Sequence, residues 1–284
     1  MSKRILLCTD LDRTLLPNGN QPESPGARAA FTRLVSRPKI SLAYVSGRHR
    51  ELVEQAITEY QLPPPDWVIG DVGTTLYQVN KGEWRHWIDW EHFIAADWRG
   101  LTAKDLRPMF TEFRALTLQE ESKQNRYKLS YYLPLESFAL TLQQEMLSRL
   151  WSANIKASLI FSVDKASSTC LLDVLPQRAT KLHAIEFLMQ QQGFTIDNTV
   201  FAGDSGNDLL VLASAIHSVL VANADHEVAE LAQFQSRQQG TTAALYLAQG
   251  GFLGMNGNYS AGIIEGVAHY HPEIRTWMEQ DDEQ

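Results

Sequence analysis

Two acidic residues, Asp10 and Asp12, stand one residue apart directly after a short apolar run near the start of the chain. Alternate residues leaving a β-strand point to the same side, so both carboxylates should face one direction. Two like charges this close repel each other, and one would be protonated unless a cation lies between them. The pair therefore predicts either a divalent metal site or two carboxyls that divide the roles of acid and nucleophile. An exposed acidic loop is the ordinary alternative, because such pairs often occur by chance.

A second acidic motif runs from Gly203 to Asp208 and also follows an apolar run. Its two glycines permit a tight turn, from which Asp204 and Asp208 project. Carboxylate oxygens suit Mg²⁺, which keeps several waters and takes few protein carboxylates. A plain turn rich in Gly, Asn and Asp is the alternative. Two acids and two glycines after an apolar strand favour the metal site.

Two further segments are candidates for binding an anion. Ser46, Gly47 and Arg48 follow the apolar run 40–45, and a hydroxyl beside free backbone N–H groups at a strand-to-helix turn forms a small anion cradle. Taken alone, this segment is better interpreted as an ordinary helix N-cap. Lys181 opens an apparent helix, where a positive charge opposes the helix dipole unless it serves an anion. An isolated surface lysine is the commoner case.

Each of these motifs follows or opens an element of a repeating pattern. Short apolar runs, which suit the strands of a parallel sheet covered on both faces, lie at 5–9, 40–45, 67–69, 199–202 and 219–222. Segments with helical apolar spacing lie between them, at 25–36, 50–60, 182–191 and 208–213. The alternation predicts an α/β fold with a Rossmann-like, doubly wound parallel sheet. Such folds bind ligands at the carboxyl ends of the strands.

The middle of the chain departs from this alternation. Between about residues 82 and 170, strand-like segments at 128–133 and 155–163 flank a helix-like segment at 135–150. We therefore predict a discontinuous catalytic core, residues 1–80 and 173–284, with an inserted α+β cap domain, residues 81–172. Four tryptophans fall in this region, at positions 84, 87, 90 and 98. Stacking on a sugar ring is possible for them, but burial in the cap core is favoured for most.

Composition excludes several classes of protein. The 284 residues include 25 Lys and Arg against 33 Asp and Glu, for a formal net charge of −8. This balance, without a dense basic block, argues against general binding to nucleic acid or acidic membranes. No apolar stretch approaches the roughly 18 residues of a spanning helix. Cys8 and Cys170 lie in apolar runs and are interpreted as core residues of a cytoplasmic protein.

The four motifs together are far more specific than any one of them. Their order, carboxylate pair, hydroxyl, lysine and acidic loop, resembles that of the haloacid dehalogenase superfamily of phosphohydrolases. A cap inserted between the second and third motifs is similar to the branch with large α+β caps. The segments 10–12, 125–131, 173–178 and 203–208 together resemble the sucrose-phosphate phosphatase family. This resemblance implies a Mg²⁺-dependent enzyme that hydrolyses sucrose 6-phosphate in the last step of sucrose biosynthesis, with sucrose-phosphate synthase as a conceivable partner.

The resemblance also implies roles for the acidic residues. Asp10 would be the nucleophile that forms an aspartyl-phosphate, and Asp12 would protonate the departing sugar oxygen and later accept a proton from water. The Mg²⁺ ligands would be Asp10, Asp12 through its backbone carbonyl, Asp204 and Asp208. Arg13 stands at a variable position, and no role is assigned to it.

The remaining implied roles concern the substrate. Ser46 and Lys181, as catalytic groups, would hold the phosphoryl oxygens together with Gly47 and Asn207. Arg48 would bind substrate beside them. In the cap, Asn125 and Lys128 would reach sugar hydroxyls, with simple strand-surface polarity as the alternative.

Other functions remain compatible with the motifs. The same chemistry serves mannosylfructose phosphate, glucosylglycerol phosphate or mannosylglycerate phosphate if the cap side chains differ. A hexose phosphomutase would pass the phosphoryl group to a sugar instead of water. A non-enzymatic sugar-phosphate-binding subunit is disfavoured, because every catalytic position is present.

Overall fold

The structure, a computed structural model, describes residues 4–134, 140–164 and 169–282. The strands are β1 Ile5–Thr9, β2 Ile40–Val45, β3 Trp67–Gly70, β4 Thr75–Asn80, β5 Glu83–His86, β6 Thr117–Leu118, β7 Leu129–Pro134, β8 Ala157–Asp164, β9 Thr169–Pro176, β10 Thr199–Gly203, β11 His217–Leu220 and β12 Leu245–Leu247. The helices are α1 Ala27–Val35, α2 Arg50–Glu59, α3 Ile88–Ala95, α4 Ala103–Leu106, α5 Leu140–Ser152, α6 Lys181–Gln192, α7 Leu209–Leu212, α8 His226–Gln239, α9 Ser260–Tyr270 and α10 Glu273–Asp282.

An eight-stranded sheet forms the core, in the order β12-β11-β10-β1-β2-β3-β4-β5. The strands from β12 to β3 pair in parallel, and β4 and β5 add an antiparallel edge. All five residues of β1 are buried, as expected of a strand covered on both faces. The predicted α/β fold with a doubly wound sheet is therefore confirmed.

One predicted strand is shifted, and five described strands were not predicted: β4, β5, β6, β9 and β12. The run 219–222 gives a strand at His217–Leu220, because Ser218 hydrogen-bonds the carbonyls of Val211 and Ile216 and so enters the sheet without a polar penalty. The β4–β5 hairpin follows from Lys81 and Gly82, both in the left-handed region with φ of 50° and 83°. Two such residues match the twist of a tight hairpin.

Helices cover both faces of this sheet. Alternate residues of β1 enter opposite hydrophobic clusters, Leu6 and Cys8 in one and Ile5 and Leu7 in the other. On one face, α1 packs against α9 and α10; on the other, α7 packs against α6 and α8. Helix α9, which follows residue 250, is buried over most of its length and completes its layer.

The inserted region has a sheet of its own. Strands β6, β7, β9 and β8 form a four-stranded antiparallel sheet in that order, with α5 packed on β8. The predicted strands match β7 and β8, and the described part of the predicted helix is α5; residues 135–139 lie outside the described residues. The core sheet reaches His86 and the cap sheet reaches Pro176, beyond the boundaries set at 80/81 and 172/173. The domain division itself stays a prediction.

The tryptophans and cysteines of the sequence analysis are packing residues in this fold. Trp90 and Trp98 are fully buried, and Trp87 stacks on Trp67 with ring centroids 5.0 Å apart. Both cysteines are buried and free. In the described ranges, no helix has both the length and the apolar character needed to cross a membrane.

Candidate active site

The predicted motifs converge at one edge of the core sheet. Asp10 follows β1, Ser46 follows β2 and Asp204 follows β10, and β1 lies between the other two strands. Because these strands are parallel, their carboxyl ends meet at the same edge. The backbone N–H of Asp10 donates to the carbonyl of Ala202 at 2.9 Å, which extends the pairing of β1 with β10 to the site itself.

Three buried carboxylates form the floor of the site. Asp10, Asp204 and Asp208 each bring an oxygen within 4.8 Å of the others. Asp208 is held by the loop, since its Oδ2 accepts the backbone N–H groups of Asp204 and Ser205, each at 3.1 Å. A Cβ at Gly203 would lie 2.6 Å from this carboxylate. The close approach therefore requires glycine.

Lys181 neutralises part of this charge. Its ammonium donates to Asp10 at 3.0 Å, to Asp208 at 2.7 Å and to the side-chain oxygen of Asn207 at 2.9 Å. It opens α6, with Thr180 as the N-cap whose hydroxyl accepts the N–H of His183. Burial alone would lower the pKa of Lys181, but the two carboxylates outweigh it and raise that pKa. The ammonium is thus buried and paired with two carboxylates, and the alternative of an isolated surface lysine is wrong.

The remaining charge of the floor fits a divalent cation. Burial raises the pKa of Asp10 well above its ordinary value, with Lys181 opposing and Asp208 adding to the rise. Burial, and then Asp208, raise the pKa of Asp204 to about 7. Among the described residues, the buried Oδ2 of Asp204 has no hydrogen-bond donor; Arg13 Nε lies 3.4 Å away without hydrogen-bonding geometry. An all-oxygen, acidic donor set of this kind suits Mg²⁺.

Asp12 lies apart from this cluster. Arg48 holds its carboxylate with two hydrogen bonds, of 2.8 and 2.6 Å, and Asn18 adds a third of 2.8 Å. The Asp12 side chain is 43% exposed. Burial would raise the pKa of Asp12, but Arg48 outweighs it and the pKa lies below its ordinary value. The carboxylate of Asp12 is thus paired with Arg48. The Arg48 guanidinium, which was predicted to bind substrate, is bound to Asp12 instead.

Ser46 does not cap the helix that follows it. Its Oγ accepts the N–H of Arg48 at 3.2 Å, whereas α2 begins at Arg50 with His49 as its N-cap. The capping interpretation, which the segment alone favoured, is therefore wrong. The Ser46 hydroxyl lies three residues before the N-cap, where it organises the loop instead.

A cavity of about 280 Å³ lies in front of the acidic cluster and between core and cap. Its walls include Asp10, Gly47, Arg48 and Asn207 from the core and Lys123 and Lys128 from the cap. Lys123 was missed, because a single lysine in a polar stretch carries no signal until the fold brings it to the cavity. A larger cavity of about 500 Å³ is lined only by residues between 102 and 129 and contains none of the acidic cluster.

The two predicted cap residues contact the core directly. Lys128 pairs with Asp71 at 3.2 Å, with both side chains 7% exposed. Asn125 donates to the Thr74 hydroxyl at 2.8 Å and lines the larger cap cavity. Lys128 therefore borders the site through an ion pair with the core, and Asn125 lies outside the smaller cavity.

Comparison with known proteins agrees with this geometry. The model of the sucrose-6F-phosphate phosphohydrolase family matches residues 3–271. A protein of Nitrosococcus oceani, named only as a HAD-like hydrolase, is 54% identical over all 284 residues, which cover 76% of its length. The mannosylfructose-phosphate phosphatase of Agrobacterium fabrum is 28% identical over 93% of the chain and 96% of its own length.

A solved structure extends the agreement to three dimensions. The sucrose-phosphatase of Synechocystis, in complex with sucrose and phosphate, superimposes with a TM-score of 0.72 and 25% identity over 95% of this chain and 99% of its own. The sequence match, the fold and the four converging motifs all indicate the same family. The chain belongs to the sucrose-6F-phosphate phosphohydrolase family and is a phosphatase of the haloacid dehalogenase superfamily.

Proposed function

We propose that this chain is a Mg²⁺-dependent phosphatase that hydrolyses sucrose 6-phosphate to sucrose and phosphate. The observation that carries the proposal is Lys181, which joins Asp10 to Asp208 through hydrogen bonds of 3.0 and 2.7 Å. Asp10 in turn lines a cavity whose opposite wall belongs to the cap. With Mg²⁺ bound, the acidic floor would hold a phosphoryl group, and such a wall would contact the rest of the ester. The match to the family model and the Synechocystis enzyme with sucrose and phosphate support sucrose as the leaving group.

Asp10 is the proposed nucleophile. One of its carboxylate oxygens forms a bond to phosphorus while the bond from phosphorus to the sugar oxygen breaks, which leaves an aspartyl-phosphate. Lys181, already within hydrogen-bond distance of Asp10, lies where it offsets negative charge on the phosphoryl oxygens. Ser46, Gly47 and Asn207 would hold those oxygens in place.

Asp12 would carry the proton. A protonated Asp12 gives its proton to the departing sugar oxygen, and the resulting carboxylate then accepts a proton from the water that attacks the aspartyl-phosphate. The second transfer restores the proton for the next turnover, so the cycle balances. Arg48 favours the carboxylate form, which is the form that the second transfer needs.

Asp10, Asp204 and Asp208, with the backbone carbonyl of Asp12, are the residues that would hold Mg²⁺. A bound Mg²⁺ supplies positive charge that lets an anionic carboxylate and an anionic phosphate approach each other. The Oδ2 of Asp204, which accepts no hydrogen bond from the described residues, and the clustering of the three carboxylates support this assignment.

Release of phosphate from a panel of esters tests the proposal. The panel contains sucrose 6-phosphate, mannosylfructose phosphate, glucosylglycerol phosphate and glucose 6-phosphate, each with Mg²⁺ and with a chelator. We expect the highest kcat/KM with sucrose 6-phosphate, and no turnover by the Asp10→Asn variant or under chelation. Equal rates across the panel would overturn the substrate, and no release from any ester would overturn the activity.

Mannosylfructose phosphate is the second candidate substrate. The relative from Agrobacterium fabrum, matched over nearly the full length of both chains, supports it. A higher kcat/KM for this ester in the same panel would establish it. Analysis of the products also tests for a mutase, which would release an isomeric sugar phosphate instead of inorganic phosphate.

A further inference from the structure

The turn Asp71–Gly73, between β3 and β4, has an unusual backbone. Asp71 and Val72 have φ of 50° and 62°, and Gly73 has φ of 106°. Positive φ is uncommon for any residue with a side chain and is a genuine outlier for a β-branched one such as Val72. A turn of this kind persists only where its surroundings determine it, and such turns cluster at functional sites.

The turn contacts both phosphate-binding segments of the core. The N–H of Asp71 donates to the carbonyl of Arg48 at 2.9 Å, and that of Val72 donates to the carbonyl of Ser46 at 3.2 Å. Gly73 lies against the start of α6, where a Cβ would be 2.5 Å from the carbonyl carbon of Thr180 and 2.9 Å from the nitrogen of Lys181. The conformation of the turn and the placement of these two segments therefore depend on each other.

The same turn also contacts the inserted cap region. Asp71 Oδ1 lies 3.2 Å from Lys128 Nζ in an almost fully buried ion pair. The indole N–H of the buried Trp90 donates to the carbonyl of Gly73 at 3.0 Å, and Asn125 donates to Thr74, the next residue, at 2.8 Å. Losing one partner of a buried ion pair is strongly unfavourable, because the other charge stays buried without compensation.

We propose that Asp71 is a positioning residue that couples docking of the cap to the alignment of Ser46 and Lys181. Lys128, when docked, compensates the Asp71 carboxylate and stabilises the unusual turn. The turn then holds in place the backbone of the two segments that carry Ser46 and Lys181. Withdrawal of the cap would remove the ammonium and leave the Asp71 carboxylate without this ion pair. The proposal rests on the proposed function, in which Ser46 and Lys181 hold the phosphoryl group.

Four variants test the coupling: Asp71→Asn, Lys128→Met, the double variant Asp71→Asn/Lys128→Met, and Glu91→Gln as a control. Glu91 pairs with Arg126 at 2.9 Å and with His86 at 3.6 Å, so its described ion pairs do not involve the turn. Steady-state kinetics with sucrose 6-phosphate and with p-nitrophenyl phosphate give kcat and KM. Hydrogen exchange measured by mass spectrometry reports the amides of Asp71 and Val72 without requiring any activity.

Each single variant at the pair is expected to lower kcat about tenfold or more with both esters, because misaligned phosphate-binding groups affect any phosphate. The double variant should match the worse single variant within about twofold, since both act through one contact. The amides of Asp71 and Val72 should exchange faster in all three, and Glu91→Gln should match wild type.

Additive losses, unchanged exchange, or a rise confined to KM for sucrose 6-phosphate would overturn the coupling and leave Lys128 as a sugar-binding residue. If Asp71→Asn does not fold, the double variant, which removes both charges of the Asp71–Lys128 pair, still decides between these outcomes. Failure of sucrose 6-phosphate as a substrate leaves the p-nitrophenyl phosphate and exchange results intact. The proposed function and the coupling can therefore fail separately.

Discussion

At the residue scale, one buried ammonium organises the candidate site. Lys181 is the counter-ion of both Asp10 and Asp208, and its own side chain is 1% exposed. Removing it leaves two buried carboxylates close together, a situation that raises the free energy of the folded state. The lysine therefore contributes to stability as well as to the proposed chemistry.

Replacing Lys181 by Met should affect both properties. We expect kcat with p-nitrophenyl phosphate to fall by roughly 10²–10³-fold, as for loss of a preorganised charge beside a reacting oxyanion. The free energy of unfolding without Mg²⁺ should fall by about 3–5 kcal/mol, the range for breaking a buried ion pair. Stopped assays and chemical unfolding measure these quantities. Near-normal kcat would remove Lys181 from the chemistry.

Arg48 gives a prediction that separates its two possible roles. If it controls Asp12, Arg48→Gln should raise the pKa of Asp12, which Arg48 holds below its ordinary value. The limb of the kcat/KM profile that reports Asp12 should then move to higher pH. A profile measured across acid and neutral pH checks this. A rise in KM with an unmoved limb would instead support Arg48 as a substrate-binding residue.

The order of the motifs, through its resemblance to a known superfamily, was sufficient to predict Asp10, Asp204, Asp208 and Lys181 as one cluster, whereas the position of Lys181 alone favoured a surface lysine. It was insufficient for pairs such as Arg48 with Asp12. Long side chains choose among several partners of opposite charge, and that choice depends on geometry that spacing does not encode.

At the element scale, the loop after β10 is shaped around one carboxylate. Asp208 closes the 3-10 turn Gly206–Asp208 and approaches Gly203 so closely that a methyl group would displace it. The position of β10, the strand before this loop, was predictable from its apolar run. The β4–β5 hairpin was not, because its alternating pattern resembles the mixed sequence of the cap that follows.

Two glycine substitutions in this loop should differ sharply. Gly203→Ala should weaken Mg²⁺ binding about tenfold or more, because the new Cβ displaces the Asp208 carboxylate from a donor set whose geometry matters. Gly206→Ala is the matched control, since a Cβ there would meet no described atom within 4 Å. Calorimetric titration of Mg²⁺ gives both affinities. Equal affinities would exclude Asp208 from the metal site.

At the scale of the whole molecule, a net charge of −8 is compatible with the proposed phosphate site, because what matters there is the charge close to the site and not the total. The acidic floor faces a cavity that also holds Lys123 and Lys128, the latter paired with Asp71. The fold class was predictable from the alternation of strand-like and helix-like segments, and the family from the order of the motifs along the chain. The substrate and the association with a synthase remain predictions, because both depend on surfaces that motif order does not describe.

Stability should depend on pH and Mg²⁺ together. The folded state binds a proton on Asp204 up to about pH 7, whereas an ordinary aspartate releases it near 3.8. Without metal, stability should therefore fall as pH rises between these values. Mg²⁺ requires the carboxylate, so its effect should grow over the same range. Thermal unfolding at several pH values, with Mg²⁺ or a chelator, measures this; a pH-independent Mg²⁺ shift would contradict it.

The central claim is that Asp10 attacks phosphorus in a Mg²⁺-dependent reaction. Rapid quenching of turnover with sucrose 6-phosphate in acid, followed by proteolysis and mass spectrometry, locates any phosphoryl group on the chain. We predict a phosphoryl group on Asp10 during turnover with Mg²⁺, and none in the Asp10→Asn variant or under chelation. Turnover that proceeds with Asp10 unmodified, or with the phosphoryl group on another residue, would contradict the claim.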